Sequence, residues 1–223
     1  MVGGELSSKC VVILIGPPGC GKGTQAGMLK ELYEVESFCA GDELRKETAS
    51  GSDLGKEIAQ ICDAGRLVPD RIVNLMAKKF VDNTASSRLL FDGFPRTAEQ
   101  ANFLINSLEK QWPVCACSFY VDDEVVMDRI LHRFSCTKCG TIYNSKTKKP
   151  RIDGVCDNCG SKEFTHRNDD NEEAMKKRLD NYRTITNPML KLFADLGVLH
   201  EIDSSREVAE VSGSMKDLIG NFW

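Results

Sequence analysis

Short apolar runs alternate along the chain with longer stretches in which apolar residues recur every three or four positions. The runs predict β-strands, and the periodic stretches predict amphipathic helices. This alternation is typical of βαβ units around a parallel sheet, so we predict an α/β fold. The predicted strands are 10–15, 88–91, 114–121 and 198–202, and the predicted helices are 23–33, 54–64, 71–81, 98–111, 123–133, 171–196 and 207–219.

The longest predicted helix, 171–196, carries apolar residues at helical spacing along one face. We interpret them as a stripe that faces the core of the protein. They are Met175, Leu179, Tyr182, Met189 and Leu192.

The segment 135–165 breaks this rhythm, because it has no sustained apolar period and is rich in Lys, Thr, Asn and Gly. It contains two cysteine pairs separated by sixteen residues, Cys136-x-x-Cys139 and Cys156-x-x-Cys159. This spacing is typical of a zinc site. Because four thiolates leave no open coordination position, we predict a structural zinc ion, with disulfides or an iron–sulfur centre as alternatives.

A glycine follows the second cysteine of each pair, at Gly140 and Gly160. Glycine permits the tight turn that would point both sulfurs of a pair inward.

Charge and composition narrow the classes of function. The chain of 223 residues is long enough for one large α/β domain with insertions. A formal net charge of −4 gives no overall attraction for nucleic acid or anionic lipid, so we expect neither as a partner. The apolar run 11–15 is too short for a signal-peptide core or a membrane span. The other six cysteines lack pairing spacing, which favours a reducing compartment; we expect a cytoplasmic protein, with a mitochondrial address left open.

Candidate chemistry begins directly after the first strand, where a glycine-rich loop opens a helix and reads Gly16-Pro17-Pro18-Gly19-Cys20-Gly21-Lys22-Gly23-Thr24. Glycines let the backbone curl so that successive N–H groups point at one anion, and the helix N-terminus adds the positive end of its dipole. Lys22 adds a mobile positive charge. We predict a phosphate-binding loop that contacts ATP through Gly19, Cys20, Gly21, Lys22, Gly23 and Thr24.

The position that usually carries a magnesium-binding hydroxyl in such loops is Gly23 here, followed by Thr24. We therefore expect Mg²⁺ to be held more by phosphates and water than by a protein hydroxyl. Asp92, at the end of an apolar run, is the candidate acidic group in the water shell of the ion. Its alternative role is to cap the turn that follows.

Two further motifs follow in order, Gly41-Asp42-x-x-Arg45 and Asp92-Gly93-Phe94-Pro95-Arg96. Together with the glycine-rich loop they resemble the ordered signature of nucleoside monophosphate kinases. From about Val11 to its last helix, the chain resembles an adenylate kinase of the type with a long, zinc-binding lid.

The resemblance implies a P-loop three-layer α/β/α fold with a parallel sheet, a small helical insert that binds the monophosphate, and a zinc-bearing lid. The implied core comprises 1–38, 69–131 and 171–223. The AMP-binding insert would be 39–68, and the lid would be 132–170.

The activity that the resemblance implies is reversible, direct in-line phosphoryl transfer, ATP + AMP = 2 ADP, with Mg²⁺ under a closing lid. Enzymes of this type usually work as monomers. A UMP/CMP kinase or a GTP:AMP phosphotransferase is the alternative within the class. Outside it, a zinc-ribbon nucleic-acid-binding NTPase and a P-loop regulatory switch are the alternatives, although the acidic composition argues against nucleic acid.

The resemblance also implies an AMP site. Arg45 and Arg96 would grip the AMP phosphate, which suits the planar fork of a guanidinium, and Gln100 would reach the adenine edge. Adenylate kinases usually have Thr where this chain has Ala40, and a small residue there resembles the UMP/CMP kinases, whereas Gln100 favours AMP. The implied AMP-binding residues are Ala40, Arg45, Arg66, Leu67, Val68, Gly93, Phe94, Pro95, Arg96, Gln100, Arg167 and Arg178.

Four arginines flank the cysteine segment. Arg129 and Arg133 are four residues apart on a predicted helix and would share a face. Arg167 and Arg178 would align if the next helix reached back to Arg167. The resemblance places all four around ATP and the transferring phosphoryl group, and the implied catalytic charges are Lys22, Arg96, Arg133, Arg167 and Arg178.

Outside the glycine-rich loop, the resemblance implies ATP contacts from Arg129, Arg133, Arg206 and the backbone near Ile142 and Tyr143. Two carboxylates, Asp169 and Asp170, have alternative roles. They would orient the arginines or bind ribose, or else begin the next helix as acidic residues at its N-terminus.

Overall fold

A five-stranded parallel sheet forms the centre of the molecule. The structure is a computed structural model that describes residues 9–108 and 112–223. The strands described are β1 (Cys10–Ile15), β2 (Glu36–Cys39), β3 (Arg88–Asp92), β4 (Val114–Tyr120), β5 (Arg133–Cys136), β6 (Ile142–Asn144), β7 (Phe164–Thr165) and β8 (Leu199–Asp203). The central sheet has the order β2-β3-β1-β4-β8.

Helices connect the strands of this sheet and pack on both of its faces. Three of them begin at a capping side chain, Ser52, Thr97 or Asn171, whose oxygen accepts a backbone N–H of the first turn. The helices described are α1 (Lys22–Tyr33), α2 (Ala40–Ala49), α3 (Asp53–Asp63), α4 (Asp70–Asn83), α5 (Ala98–Ser107), α6 (Asp123–Leu131), α7 (Glu172–Asn181), α8 (Asn187–Asp195) and α9 (Val208–Gly220). None of them is long and apolar enough to cross a membrane.

The central strand β1 divides its side chains between two apolar clusters, because successive residues of a strand point to opposite faces. Val11 and Ile13 join the cluster formed with α3, α4, α5 and α8. Val12 and Leu14 join the cluster formed with α1 and α9. The sheet is therefore sandwiched between two helical layers, which confirms the predicted three-layer α/β/α fold.

The lid segment forms a separate small antiparallel sheet of order β6-β5-β7, inserted between α6 and α7. Another pair of helices, α2 and α3, lies between β2 and α4. These elements fall within the predicted lid, 132–170, and the predicted insert, 39–68, whose boundaries stay a prediction.

The pattern of apolar residues did not identify β2 or α2. Strand β2 lies at the edge of the sheet, and of its four residues only Phe38 is fully buried, so no alternation is visible in the sequence. Helix α2 is mostly polar and buries only Ala40 and Leu44. The predicted helix 98–111 corresponds to α5, but residues 109–111 lie outside the described part of the chain.

One helical alignment predicted from the sequence is wrong, and the condition attached to a second is not met. Helix α6 ends at Leu131 and Arg133 begins strand β5, so Arg129 and Arg133 do not share a helix face. Helix α7 begins at Glu172 because Asn171 caps it, so Arg167 lies outside that helix. The apolar spacing of Ile130 and Phe134 continues across the first boundary and gave no signal for it, whereas residues 167–173 include no apolar residue.

The predicted helix 171–196 is instead two α-helices, α7 and α8, joined by a π-helical turn at Tyr182–Thr186. The predicted apolar stripe still faces the interior. Met175, Leu179 and Met189 are buried, while Tyr182 and Leu192 are half-buried.

Candidate active site

The glycine-rich loop lies between β1 and the N-terminus of α1, at the carboxyl end of the sheet. Gly19 has φ +79°, and a Cβ there would come within 2.8 Å of Ile130 Cγ1, so only glycine fits. Lys22 Nζ donates hydrogen bonds to the carbonyls of Gly16 and Pro17, both 2.8 Å, and lies 3.3 Å from Cys20 Sγ. The lysine therefore folds back over the loop that would hold a phosphate.

Asp92 ends strand β3, which pairs directly with β1, so its carboxylate lies beside the loop. Its Oδ2 is 3.8 Å from the point where a Cβ on Gly23 would lie. Burial raises the pKa of the Asp92 carboxyl, and the nearby charges of Lys22 and Arg96 partly offset that rise. The carboxylate thus faces the place where the metal ion of a bound nucleotide would be expected.

Two carboxylates at the base of the lid hold two of the predicted arginines. Arg133 Nε donates to Asp170 Oδ2 at 2.8 Å, and the Arg133–Asp170 contact is bidentate. Arg178 Nη1 donates to Asp169 Oδ2 at 2.6 Å. Because Asn171 caps α7, these carboxylates orient arginines and do not cap the helix.

The arginines are close enough to repel one another. Burial, together with the neighbouring charges of Arg133 and Arg45, lowers the pKa of Arg167 to about 10. Burial, with Arg96 and Arg133 nearby, also lowers the pKa of Arg178, although Asp169 opposes the shift. Such crowding of positive charge is what an anion-binding crevice requires, because a bound phosphate relieves it.

A narrow pocket lies next to these charges, lined by α2, by the first turns of α4 and α5, and by the loops that precede α4 and α5. Three apolar residues of the predicted AMP site line it, Ala40, Leu67 and Val68. Arg96 and Gln100 of the same predicted site line it as well. The residues that line it are Ala40, Leu44, Leu67, Val68, Val73, Gly93, Arg96 and Gln100.

The other residues of the predicted AMP site lie around this pocket in different ways. Arg45 is exposed and pairs with Asp42 at 2.5 Å, and Arg66 is also exposed. Arg96 is held by a hydrogen bond from its Nε to the Gly93 carbonyl, 2.7 Å. Phe94 is fully buried and Pro95 is buried, so these two shape the turn from within the core.

The lid approaches the glycine-rich loop through strand β6. Ile142 Cδ1 is 3.7 Å from the point where a Cβ on Gly23 would lie. The Tyr143 side chain points the other way and is buried inside the lid. Arg129 is half-buried and its carbonyl accepts a hydrogen bond from Asn144 Nδ2 at 3.0 Å, whereas Arg206 bonds to the Asp203 carbonyl and Ser214.

The four lid cysteines come together as the spacing predicted. Their Sγ atoms all lie within 4.8 Å of one another, with Cys136–Cys159 at 3.6 Å and Cys139–Cys156 at 3.5 Å. A tetrahedral site with Zn–S bonds of about 2.3 Å separates its sulfurs by about 3.8 Å, so the cluster fits zinc. The distances are far longer than the S–S bond of a disulfide, about 2.05 Å.

The turns of the cysteine pairs have the predicted geometry. Gly140 and Gly160 have φ near +70°, and their N–H groups donate to the carbonyls of Cys136 and Cys156, both 2.9 Å. The Thr141 hydroxyl, 3.1 Å from Cys139 Sγ, and the Thr141 backbone lower the pKa of that thiol to about 6. A thiol that ionises readily is a good metal ligand.

Tyr143 supports the cysteine cluster, a role that the sequence did not suggest. Its hydroxyl donates to Cys156 Sγ at 3.4 Å and accepts the Asp157 N–H at 2.8 Å. Its ring stacks on Phe134, with centroids 5.6 Å apart. The only available signal was an aromatic residue within a polar, cysteine-bearing segment, which does not specify a contact.

A glycine-rich loop at a helix N-terminus, a nearby pocket with arginines, and a lid that approaches the loop are the features of a P-loop kinase that acts on nucleotides. A family model described as Adenylate kinase matches residues 14–198. Adenylate kinases from Paramagnetospirillum magneticum and Rhizorhabdus wittichii are 38% and 37% identical to the chain, over 93% and 94% of its length and 97% and 99% of theirs. The adenylate kinase of Erythrobacter litoralis is 37% identical over 93% of the chain and 99% of its own length. The chain belongs to the adenylate kinase family, as the motifs predicted.

Proposed function

We propose that the protein catalyses reversible phosphoryl transfer from Mg·ATP to AMP, giving two molecules of ADP. The observation that carries this proposal is the juxtaposition of two sites. Lys22 of the glycine-rich loop and Arg96 of the pocket both lie near the Asp92 carboxyl. Arg96 in turn lies near Arg178, so two nucleotides bound in the two sites would meet phosphate to phosphate.

The donor site is formed by the loop and the start of α1. The N–H groups of residues 19–24 bind the ATP phosphates, and Lys22 leaves the carbonyls of Gly16 and Pro17 to reach them. From the lid, Arg129, Arg133 and the backbone near Ile142 and Tyr143 contact the nucleotide, and the loop at Arg206 contacts its base.

The acceptor site is the pocket lined by α2 and by the first turns of α4 and α5. Arg45 and Arg96 bind the AMP phosphate, while Leu67, Val68 and the backbone at Arg66 contact the nucleoside. Ala40, Gly93, Phe94 and Pro95 shape the walls, and Gln100 reads the base.

Asp92 fits a role in holding the water shell of Mg²⁺, because its carboxylate faces Gly23 from the end of β3. When bound, the ion neutralises charge on the phosphates. The chain offers no hydroxyl at position 23, so phosphates and water supply most of its ligands.

The transfer itself needs positioning and fixed positive charge, because the transition state of phosphoryl transfer is loose and carries charge on its equatorial oxygens. Arg133, Arg167 and Arg178 supply that charge together with Lys22 and Arg96. Asp169 and Asp170 hold two of these arginines before the substrates arrive, so little reorganisation accompanies the reaction.

The lid closes over the donor site as one body and excludes water, which prevents wasteful hydrolysis of ATP. Cys136, Cys139, Cys156 and Cys159 hold a structural zinc ion that braces the lid. We further propose that the protein acts in the cytoplasm as a monomer, on ATP and AMP.

The test is a panel of monophosphates (AMP, UMP, CMP and GMP) with Mg·ATP or Mg·GTP, read by phosphorus NMR. We expect ADP from ATP and AMP at the highest rate. In Lys22→Met the rate should fall on the order of a hundredfold or more, because a charge on the transferring phosphates is lost. The matched control is Lys30→Met, an exposed lysine at the other end of α1.

Other products would contradict the proposal in different ways. A preference for UMP or CMP would make the protein a pyrimidine monophosphate kinase. ATP hydrolysis that does not depend on any monophosphate would make it an NTPase, and no turnover at all would favour a regulatory switch.

A further inference from the structure

Asp70 is the first residue of α4, immediately after the predicted insert, and its carboxylate reaches across to the start of α5. Gln100 Nε2 donates to Asp70 Oδ1 at 2.7 Å, and Thr97 Oγ1 donates to Asp70 Oδ2 at 2.8 Å. Both carboxylate oxygens are therefore used to hold the N-terminal turn of α5.

The amide of Gln100 is held at both ends. Its Oε1 accepts the backbone N–H of Arg96 at 2.8 Å, and the side chain is only 2% exposed. A carboxylate can only accept and a backbone N–H can only donate. The amide nitrogen must therefore face Asp70 and the amide oxygen must face Arg96, so the amide cannot flip.

Among residues 9–108 and 112–223, these bonds leave Gln100 with one N–H and one lone pair that have no partner, and the residue lines the acceptor pocket. A glutamine amide presents a donor and an acceptor side by side, a pattern that pairs with the 6-amino group and adjacent ring nitrogen of adenine. A 6-oxopurine presents an acceptor where adenine presents a donor. Recognition of one over the other depends on which way the amide is turned.

We propose that Asp70 is a positioning residue that locks the Gln100 amide, so that the acceptor site selects a 6-aminopurine over a 6-oxopurine monophosphate. Asp70 acts through Gln100 and through no contact of its own with the base. The inference rests on the proposed function, since it assumes that AMP occupies this pocket.

The simpler role for Asp70 is that of an acidic residue in the first turn of a helix, where it interacts favourably with the helix dipole. If that were its role, substitution of Asp70 would lower stability and would change kcat/KM equally for every acceptor monophosphate. The locking role predicts a change in the ratio between two acceptors, so the two roles are separable.

The experiment compares kcat/KM for AMP and for IMP, which differ in the group at C6, in the full-length protein and in Asp70→Asn. An asparagine amide can donate or accept, so it removes the constraint that Asp70 places on the Gln100 nitrogen while it preserves the size of the side chain. Of the groups that the structure describes around this amide, the Arg96 N–H then remains as the one that fixes its orientation. We expect the AMP-to-IMP ratio to fall about tenfold, mainly through a higher KM for AMP, because a charge-assisted hydrogen bond is lost.

The matched control is Asp53→Asn, which removes the same charge from the first residue of α3, where the side chain is fully exposed. It should leave the ratio unchanged. An unchanged ratio in Asp70→Asn overturns the inference, and so does an equal loss of kcat/KM for both acceptors. If Asp70→Asn does not fold, Asp70→Ser removes the same carboxylate and is judged by the same ratio.

A double-substitution cycle tests whether Asp70 acts through Gln100. Gln100→Leu should lower the ratio by itself, and adding Asp70→Asn to it should produce no further change. A further fall in the ratio would show that Asp70 acts independently and would overturn the inference. Failure of the proposed function is a distinct result, because the unsubstituted protein would then form no ADP from ATP and AMP.

Discussion

The central sheet and the lid are stabilised by different means. In the sheet, the strand residues Val11 to Leu14 and Leu89 to Phe91 are fully buried between two helical layers. In the lid, the three short strands surround a cluster whose fully buried members are Cys136, Tyr143 and Cys156. The sheet is thus held by apolar burial, and the lid by its cysteines and a few aromatic rings.

This difference shows how one chain can combine a rigid core with a movable cover. A segment that cannot bury much apolar surface folds by itself when four thiolates are joined by one ion. Because its stabilisation would be internal, the lid can move over the nucleotide, as we propose, without losing its own structure. In that proposal the core contributes the site and the lid controls access to it.

Removal of the proposed zinc should have the largest effect, and it should be confined to the lid. Structural zinc contributes on the order of 10–16 kcal/mol in small metallo-domains. With a chelator, we expect backbone amides in 132–170 to exchange hydrogen much faster, while those of β1, β3 and β4 stay protected. Mass spectrometry of the exchanged protein measures this effect. Unchanged exchange in the lid after verified loss of metal would contradict the idea that a metal ion, and not apolar burial, stabilises the lid.

Phe91→Ala should destabilise the core by about 3–5 kcal/mol, because it opens a cavity among packed rings. The Phe91 ring lies 5.5–5.9 Å, centroid to centroid, from those of Phe38, Phe80 and Phe94. Urea unfolding should reveal a loss over the whole molecule. The control is Leu75→Ala on α4, where the side chain is 65% exposed and the change should be below about 0.5 kcal/mol.

Arg167→Gln, at the boundary between the core and the lid, should change activity and stability in opposite directions. We expect kcat to fall about a hundredfold or more, since a charge on the transition state is lost. The melting temperature should rise, because the folded-state pKa of about 10 lies below the ordinary arginine value and the charge is therefore unfavourable in the folded protein at neutral pH.

The control for Arg167→Gln is Arg183→Gln, an exposed arginine that pairs with Asp123 outside the site. It should change kcat little. A lower melting temperature in Arg167→Gln, without ligand, would mean that this arginine is a structural member of the lid hinge.

Tyr143→Phe should have the smallest effect, about 1–3 kcal/mol within the lid. The ring and its stacking on Phe134 are kept, but Cys156 loses a hydrogen-bond donor and the Asp157 N–H loses its acceptor. Competition with a chelator should reveal weaker zinc binding, and urea unfolding of the core should be unchanged. Equal zinc affinity in the two proteins would show that the hydroxyl does not support the cluster.

The sequence predicted most of the core because the core strands are continuous apolar runs that are bounded by turns containing glycine. It failed at β2, where a four-residue edge strand buries one side chain fully and shows no alternation. It also extended α6 to Arg133, because Ile130 and Phe134 continue an apolar spacing across the turn into the lid. A local pattern of apolar residues indicates which side chains are buried. It does not indicate where a helix ends and the chain enters a different sheet.

The site was predicted unevenly for a related reason. The glycine-rich loop and the cysteine pairs are local motifs, so the sequence spacing of their residues largely fixes how those residues are arranged in space. The arginine cluster is assembled from residues as far apart as Arg45 and Arg178, and its alignment was predicted through helices that do not exist there. The contacts of Asp70 and Tyr143 join residues 30 and 13 positions apart, and no local pattern encodes them.

The sequence by itself determined the α/β class, the glycine-rich loop and the two cysteine pairs, because each depends on neighbouring residues in the chain. Only the tertiary structure decided that Asp169 and Asp170 hold arginines, that Gln100 is locked by Asp70, and that Ile142 lies over the loop. These depend on which strand ends and helix ends meet at the carboxyl edge of the sheet. The packing of segments that are distant in the chain decides which ends meet. That packing depends on burial and on interactions between charges, neither of which a local sequence pattern specifies.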